Sequence, residues 1–362
     1  MKVLHVNAGL EEGGAKTHIL SLLSQFPIGE VELLVLEEGS ISKEARLIDI
    51  KVHVLNQQSR YDLTILKRLV KHIKDNHFDI VHTHGARANL LMALIKKKIN
   101  VPWITTVHSD PVLDFMDKGI KGKVFSYLNI WSLKKADKLI VVTESLKVDL
   151  IKRGLSKQTI FVVYNGIIFD KGISKKQQNK AFTITCVARL HPVKAHEFLF
   201  ESLKYSGLTD FHLNIIGDGE LRKKLERKVS ELDFEKLVQF HGTLEKRAIE
   251  NILHQSDLTV LSSLSEGFPL VLLESANQKV PFITTDVGDC AKLVPDSSYG
   301  WVIPSQDKGA FSTALLEAHE LWRSNKLVEK GKKLHHLASK EYSLREMYFN
   351  TLFVYKSKEA IK

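Results

Sequence analysis

Residues 258–274 read Leu-Thr-Val-Leu-Ser-Ser-Leu-Ser-Glu-Gly-Phe-Pro-Leu-Val-Leu-Leu-Glu. The first four residues predict a buried strand, and Leu270 to Gln278 has the pattern of a helix. Glu266 then lies in the loop after the strand, and Glu274 lies one to two turns into the helix. In open α/β sheets ligands bind at this edge, and a helix amino end offers free N–H groups to anions. We therefore expect hydroxyl-binding acids beside a phosphate-binding helix end.

The same alternation of short apolar runs and amphipathic segments extends over the whole chain. The runs are rich in Val, Ile and Leu without strict polar alternation, which is typical of strands covered by helices on both faces. Predicted strands are residues 3–6, 31–36, 52–55, 80–83, 104–107, 139–142, 160–163, 182–188, 211–216, 237–240, 258–261, 282–285 and 301–303. Strands alternating with helices predict an α/β protein with parallel, doubly wound, Rossmann-like sheets.

The length of 362 residues favours two domains. Residues 170–180 are polar without a core pattern and predict a linker between a domain over 1–170 and a domain over 171–345. The last 55 residues look helical, and we expect a terminal helix over 346–362 that crosses back onto the first domain. We expect the two domains to face each other across a cleft, the usual place for small ligands.

The composition, 44% hydrophobic and 26% charged, is that of an ordinary globular protein. No run of about 18 apolar residues is present, and the amino terminus reads as a strand rather than a signal peptide. Cys186 and Cys290 are far apart and lack metal-ligand spacing. We expect buried free thiols and a cytoplasmic location.

The net charge of +10 is uneven, since residues 1–175 carry 26 Lys and Arg against 18 Asp and Glu. Such an excess favours an anionic partner, which is a membrane surface, a phosphate-bearing substrate or nucleic acid, unless it is merely a solvated basic surface. No helix-turn-helix, RNP motif or interleaved aromatic and basic stretch supports nucleic-acid binding.

Arg189 and Lys194 follow the strand that ends at Ala188. A forked guanidinium and a flexible ammonium suit a diphosphate, although two surface cations after a strand give the same pattern. The sequence contains no Asp-any-Asp triplet of the kind that holds a divalent cation on a diphosphate. We therefore expect these cations to neutralise the diphosphate without a metal.

Glycines follow two of the predicted strands. Gly13 and Gly14 stand between the first strand and the first helix, and Gly217 and Gly219 follow Ile216. Paired glycines let a backbone come close to a ligand, and a tight turn without a ligand has the same signature. Neither loop is a dinucleotide fingerprint or a P-loop.

Three histidines end or lie in predicted strands. His108 ends one strand, where its ring would bind a sugar hydroxyl or an acceptor oxygen. His82 and His84 point to the same face of another strand, which makes a metal pair conceivable. No third ligand with sensible spacing appears, so we predict no metal and place His84 nearer the acceptor.

Taken in order, these motifs resemble the glycosyltransferase family 4 enzymes of the GT-B fold, the group 1 glycosyltransferases. The resemblance runs essentially end to end and rests on the opening strand with Gly13-Gly14, residues 79–84, His108, Asn165-Gly166, Arg189 with Lys194, residues 217–219 and residues 266–274. It implies that the first domain binds the acceptor and the second binds the nucleotide-sugar donor. It also implies retention of the anomeric configuration, with the departing phosphate helping to deprotonate the acceptor.

By position, the resemblance implies the roles of single residues. Arg189 and Lys194 would hold the donor diphosphate, Glu266 the hydroxyls of the transferred sugar, and Glu274 the ribose. The implied donor-binding residues are Gly13, Gly14, Arg189, Lys194, Gly217, Gly219, Glu266, Gly267, Phe268, Pro269, Leu270 and Glu274. The implied catalytic residues are His108, Arg189, Lys194 and Glu266, and the implied acceptor residues are His84 and His108.

We expect a retaining glycosyltransferase that moves a sugar from a UDP- or GDP-sugar to a lipid-linked saccharide or another surface-glycan precursor. One alternative is another GT-B enzyme, either a nucleotide-sugar epimerase or a transferase to a soluble metabolite. A second is a catalytically silent nucleotide-sugar-binding subunit. Peripheral contact with an anionic membrane is expected from the basic residues Lys96, Lys97, Lys98, Lys118, Lys121, Lys123, Lys134 and Lys135.

Overall fold

The computed structural model describes residues 1–11, 13–57, 59, 62–112, 119–170 and 180–357. The chain divides into two compact units, one formed by Met1–Gly166 with Leu344–Lys362 and the other by Ile167–Ser343. Most of the predicted linker, residues 171–179, and Lys118 of the basic set lie outside the described residues.

The first unit contains a seven-stranded sheet and the second a six-stranded sheet, and the strands of each pair in parallel. The strand orders are β3-β2-β1-β4-β5-β6-β7 and β10-β9-β8-β11-β12-β13. The first sheet consists of β1 (Val3–Asn7), β2 (Val31–Val35), β3 (Lys51–Val54), β4 (Ile80–His84), β5 (Trp103–Val107), β6 (Lys138–Val141) and β7 (Ile160–Val162). The second consists of β8 (Phe182–Val187), β9 (Phe211–Ile216), β10 (Val238–Gly242), β11 (Leu258–Leu261), β12 (Phe282–Thr285) and β13 (Trp301–Ile303).

Helices connect the strands and cover the sheets. Those of the first unit are α1 (Gly14–Leu23), α2 (Ser40–Leu47), α3 (Thr64–Asp75), α4 (Ala86–Ile95), α5 (Gly119–Leu133) and α6 (Glu144–Lys152). Those of the second are α7 (His196–Ser206), α8 (Arg222–Glu231), α9 (Lys246–Gln255), α10 (Leu270–Asn277), α11 (Lys308–Arg323) and α12 (Leu327–Glu341), and α13 (Leu344–Lys356) ends the described chain in the first unit.

The first sheet is buried on both faces because successive residues of its strands enter different cores. Val3 of β1 packs in one cluster with Ile19 of α1, and Leu4 packs in another with Ile65 of α3. All five residues of β1 are buried. This double burial explains the near-continuous apolar runs from which the strands were predicted.

The last helix is held in the first unit by apolar side chains. Leu344, Met347, Val354 and Tyr355 of α13 are buried in the core that also contains Val3. The chain therefore leaves the first unit after Gly166 and returns to it at Leu344. This return places Tyr355 beside β1 and β4, where its hydroxyl lies within hydrogen-bond distance of His5 and His82.

The predicted α/β class and all thirteen predicted strands are confirmed, with boundaries that differ by a residue or two. The largest shift is in β10, which runs from Val238 to Gly242 where 237–240 was predicted. Cys186 and Cys290 are buried and unbonded as expected, and burial raises the pKa of both thiols to about 12. Within the described ranges, none of the helices combines the length and apolar composition that crossing a bilayer requires.

Candidate functional site

Each sheet reverses its strand order at one point, and polar side chains collect at the carboxyl ends of the strands there. In the first unit this point lies between β1 and β4, and in the second it lies between β8 and β11. Doubly wound sheets bind ligands in the crevice outside such a point. Each unit therefore has its own candidate ligand-binding edge.

A pocket of about 600 Å³ opens at this edge of the first unit. Asn7 ends β1, His84 ends β4 and His108 follows β5, and all three line the pocket. The first turn of α4 also lines it, after Gly85 with its positive φ of 87°. Strand ends and a helix amino end thus surround a space that suits a hydroxyl-bearing or anionic ligand.

The two predicted acceptor histidines lie together in this pocket. His84 Nδ1 is 3.3 Å from His108 Nε2, and His84 Nε2 is 2.9 Å from Nδ1 of His5 on β1. His18 of α1 packs edge-on to His108, with ring centroids 4.7 Å apart. Burial lowers the pKa of His84 and His108 well below the ordinary value, so both rings are neutral at pH 7.

The fold supplies a third histidine beside His82 and His84, which the sequence spacing did not reveal. Ligand atoms of His5, His82 and His84 lie within 4.8 Å of one another. In the described structure these rings are satisfied by hydrogen bonds to each other and to Tyr355 and Thr106. The expectation that His82 and His84 lack a third ligand was therefore wrong. The absence of a metal stays a prediction.

Gly13 caps the amino end of α1 with a φ of 68°, a conformation that favours glycine. A Cβ added to Gly13 would meet no described atom within 4 Å. The glycine is therefore required by its backbone angle and leaves open space beside the helix that begins at Gly14. The donor contact predicted for Gly13 and Gly14 stays a prediction.

Arg189 lies at the carboxyl edge of the second sheet, two residues after β8. Its side chain is exposed and makes no hydrogen bond or ion pair with the described residues. Arginine carries five N–H donors in a fixed fork that matches phosphate oxygens. Arg189 is therefore an available anion-binding group at the reversal point.

Lys194 and Glu266, predicted to touch different parts of the donor, form an ion pair. Lys194 Nζ lies 2.5 Å from Glu266 Oε1, and both side chains are largely buried, with 17% and 9% exposed. Ser263 Oγ donates to the same carboxylate oxygen at 2.5 Å. The pair fixes both charges at this edge of the sheet and orients the carboxylate.

The loop after Glu266 leads directly into α10. Phe268 is buried, and its ring packs on Tyr342 with centroids 4.9 Å apart. Pro269 caps α10 and has no N–H, so it cannot donate a backbone hydrogen bond to a phosphate, and its contact with the donor stays a prediction. Leu270 begins α10 as predicted, and burial raises the pKa of Glu274 one turn further along.

Three glycines near the site in the second unit, Gly217, Gly219 and Gly288, allow close contacts between loops. A Cβ on Gly217 would lie 2.1 Å from the Ala188 carbonyl oxygen, and one on Gly219 would lie 2.5 Å from that of Leu190. Gly288 packs equally closely against Gly267, because a Cβ added to Gly288 would lie 2.4 Å from the Gly267 carbonyl oxygen. These glycines allow the site loops to pack together, and their contact with a nucleoside stays a prediction.

Sequence reasoning missed several residues that shape the two edges. Ser263 binds Glu266, Gly288 packs under Gly267, and Tyr355 joins the histidines from the far end of the chain. Gly288 was detectable as a glycine three residues after β12. The partners of Tyr355 were not detectable, because 273 and 350 residues separate them from it.

Two parallel, doubly wound sheets, one in each unit, are the architecture of the GT-B fold. Residues 12–171 match the model of Glycosyltransferase Family 4, and residues 169–334 match that of Glycosyl transferases group 1. The chain belongs to this family, glycosyltransferase family 4 with its group 1 glycosyltransferase domain, and is a transferase enzyme.

Individual relatives agree with this assignment. The UDP-Gal:alpha-D-GlcNAc-diphosphoundecaprenol alpha-1,3-galactosyltransferase of Escherichia coli is 30% identical over 273 residues, which are 70% of each chain. The structure of Anabaena HepE in complex with UDP and glucose superposes with a TM-score of 0.84 at 16% identity, covering 99% of this chain and 100% of that one. The apo lipopolysaccharide outer core galactosyltransferase WaaB gives 0.76 at 20% identity, covering 98% of both chains. At these identities the two structures show the fold.

Proposed function

We propose that this enzyme is a retaining glycosyltransferase that moves a sugar from a UDP- or GDP-sugar to a lipid-linked saccharide or another surface-glycan precursor, without a metal. The observation that carries the proposal is the exposed Arg189 at the carboxyl edge of the second sheet, the edge that also holds the Lys194–Glu266 ion pair. Two cations and an oriented carboxylate are the groups that a diphosphate and a sugar hydroxyl require.

The relatives favour UDP as the nucleotide and a lipid-linked glycan as the acceptor. The Escherichia coli relative is named for a UDP-galactose donor and a diphosphoundecaprenol acceptor, and HepE is bound to UDP. WaaB is named for the outer core of lipopolysaccharide. We therefore rank UDP-sugars before GDP-sugars and place the acceptor among precursors of the cell envelope.

In the proposed reaction the bond between the anomeric carbon and the diphosphate oxygen breaks, and a bond to the acceptor oxygen forms on the same face. The acceptor proton passes to the departing phosphate, so no protein base is assigned. Negative charge grows on the diphosphate as the bond breaks, and Arg189 and Lys194 stabilise that charge. Glu266 accepts hydrogen bonds from hydroxyl groups of the transferred sugar.

A donor panel tests the proposal directly. The midpoint of thermal unfolding is expected to rise with UDP and UDP-sugars, because a ligand that binds only the native state stabilises it. The same rise is expected with EDTA present. A rise in the midpoint that requires Mg²⁺ or Mn²⁺ would contradict metal-independent donor binding. The absence of any shift with UDP-, GDP- or ADP-sugars would contradict the assignment of a nucleotide-sugar donor.

Product analysis separates the remaining alternatives. A new glycoside with the donor's anomeric configuration, detected by NMR after incubation with envelope lipid extracts, supports retaining transfer. Epimerised free donor without a glycoside supports the epimerase reading, and a glycoside formed only on soluble metabolites supports the second enzyme alternative. Donor binding without any turnover supports a silent subunit.

We also propose that α5 contacts an anionic membrane. This helix exposes Lys121 and Lys123 next to Val124, Phe125 and Tyr127, which are 53%, 48% and 71% exposed. Cations attract anionic headgroups at about 1 kcal/mol per basic residue, and exposed apolar side chains insert beneath them. Lys97, Lys98, Lys134 and Lys135 are also exposed, whereas Lys96 is paired with Asp137.

Sedimentation with liposomes tests this contact. The protein is expected to bind vesicles that contain anionic lipid and to lose roughly 30-fold in affinity when Lys121 and Lys123 are both changed to Ala, at about 1 kcal/mol for each lysine. The matched control changes Lys223 and Arg227, two exposed cations of α8, to Ala. Equal binding to neutral and anionic vesicles, or equal losses in the two variants, would contradict the contact.

A further inference from the structure

We propose that Tyr355 and Thr106 orient His108 through a continuous chain of hydrogen bonds, so that His108 presents a protonated Nδ1 as a hydrogen-bond donor. The six residues, called the histidine chain below, are Thr106, His82, Tyr355, His5, His84 and His108. They come from β1, β4, β5, α13 and the loop after β5. Tyr355 and Thr106 are therefore positioning residues for a histidine that lines the pocket.

The hydrogen bonds run through both nitrogens of each internal ring. Thr106 Oγ1 is 2.7 Å from His82 Nε2, and His82 Nδ1 is 2.6 Å from the Tyr355 hydroxyl. The same hydroxyl is 3.3 Å from His5 Nε2, and His5 Nδ1 is 2.9 Å from His84 Nε2. His84 Nδ1 is 3.3 Å from His108 Nε2. Only Nδ1 of His108 is not used within the histidine chain.

Each ring of the histidine chain is neutral and carries one proton. Burial lowers the pKa of His5 to about 3 and the pKa of His82, His84 and His108 well below the ordinary value. Burial also raises the pKa of Tyr355, which keeps its hydroxyl proton. A neutral imidazole has one donor and one acceptor nitrogen, so its tautomer at one end dictates its role at the other.

Three arrangements satisfy all five hydrogen bonds at once, because each neutral ring has one donor and one acceptor nitrogen and a hydroxyl oxygen can accept twice. Every group donates toward His108, or every group donates toward Thr106, or His82 and His5 both donate to the Tyr355 hydroxyl. The third leaves the buried hydroxyl proton of Tyr355 without an acceptor among the described residues, which is costly, so the first two remain. In the first arrangement the four histidines all carry the proton on Nδ1. In the second they all carry it on Nε2, and His108 Nδ1 is an acceptor.

Thr106 decides between the two directions. Its hydroxyl is buried, with 1% of the residue exposed, and its only hydrogen bond among the described residues is to His82. If His82 donated to Thr106, the buried hydroxyl proton of Thr106 would have no acceptor, and an unsatisfied buried donor is costly. If Thr106 donates to His82, only a lone pair of the hydroxyl oxygen is unused, which costs less. Thr106 therefore donates to His82, and the histidine chain donates toward His108.

The consequence for the pocket is that His108 offers an N–H rather than a base. A donor at Nδ1 binds a hydroxyl or phosphate oxygen and cannot remove a proton from the acceptor. This role rests on the proposed function, in which the departing phosphate takes that proton. The Tyr355 hydroxyl couples the tautomer of His82 to that of His5, because it accepts a hydrogen bond from His82 and donates one to His5. The donor direction set by Thr106 therefore extends to His84 and His108.

NMR of the full chain labelled with ¹⁵N at histidine tests the direction without any substrate. Long-range ¹H–¹⁵N correlation at pH 7.5 distinguishes protonated from unprotonated ring nitrogens, and single His→Gln variants assign the signals. All four rings are expected to carry the proton on Nδ1. This tautomer is the less populated one in isolated histidine. A proton on Nε2 of any of the four, or a charged ring, would overturn the proposal whether or not the enzyme transfers sugar.

Variants of Thr106 test how the direction is set. Thr106→Val removes the donor and is expected to shift the ring-nitrogen signals of His84 and His108 toward a mixture of tautomers, whereas Thr106→Ser keeps them. When Tyr355→Phe is also present, Thr106→Val should no longer affect His84 or His108. A response of His82 alone to Thr106→Val would refute transmission through Tyr355. The wild-type spectrum decides the direction even if a variant fails to fold.

Discussion

Arg189→Ala is expected to lower kcat by about 10²- to 10³-fold, the usual effect of removing one preorganised group that stabilises transition-state charge. The KM for the donor should rise by no more than several-fold, because the diphosphate carries more charge at the leaving oxygen in the transition state than in the bound donor. Arg189 is exposed and makes no ion pair or hydrogen bond within the described structure, so its removal leaves the fold intact. Unfolding stability should change by at most about 0.5 kcal/mol.

The comparison that isolates this effect uses Arg227→Ala, which removes an exposed arginine of α8 in the same unit. Its kcat and KM should match those of the unmodified enzyme. Steady-state kinetics with a UDP-sugar, together with urea unfolding of both variants, gives all the quantities needed. Equal kcat in the Arg189 and Arg227 variants would exclude the transition-state role, and a loss confined to KM would show that Arg189 only binds the donor.

The first unit is expected to lose stability steeply as the pH falls from 6.5 toward 5. Burial lowers the pKa of His5 to about 3 and of His18 to about 4, and it lowers the pKa of His82, His84 and His108 well below the ordinary value. The unfolded chain takes up these protons near pH 6.5, and the folded chain does not. The contribution of these histidines to the free energy of unfolding is therefore fully present above pH 6.5. Below that pH the free energy of unfolding falls by up to about 1.4 kcal/mol per pH unit for each histidine.

Five such groups together remove several kcal/mol over one pH unit, which is comparable to the whole stability of an ordinary domain. Trp103 and Trp131 report on the first unit once Trp301 and Trp322 of the second are changed to Phe. The urea midpoint of their fluorescence should fall between pH 7.5 and pH 5.5, before carboxylates begin to titrate. A midpoint that is constant over this range and falls only below pH 4 would contradict the burial of neutral rings.

Local sequence determined the repeating pattern of strands and helices because each element carries its own periodicity. The run 258–261 and the helix that starts at Leu270 are readable from their own residues, as is the placement of Arg189 at a strand end. Parallel strands bring such ends to one edge, so candidate residues on separate loops were predicted to meet without knowledge of the register. The pairing of Lys194 with Glu266 was not predicted, because both were assigned to the ligand.

What the sequence alone determined, then, is the fold class and the identity of the polar residues at each sheet edge, since both depend on local patterns and on motif order. Only the tertiary structure decided which of those residues touch. The histidine chain joins β1 to a helix 350 residues away, because the apolar face of α13 is buried in the first core. No local signal encodes that contact, since the free energy of burying Leu344, Met347 and Val354 depends on a surface that exists only after the first sheet has formed.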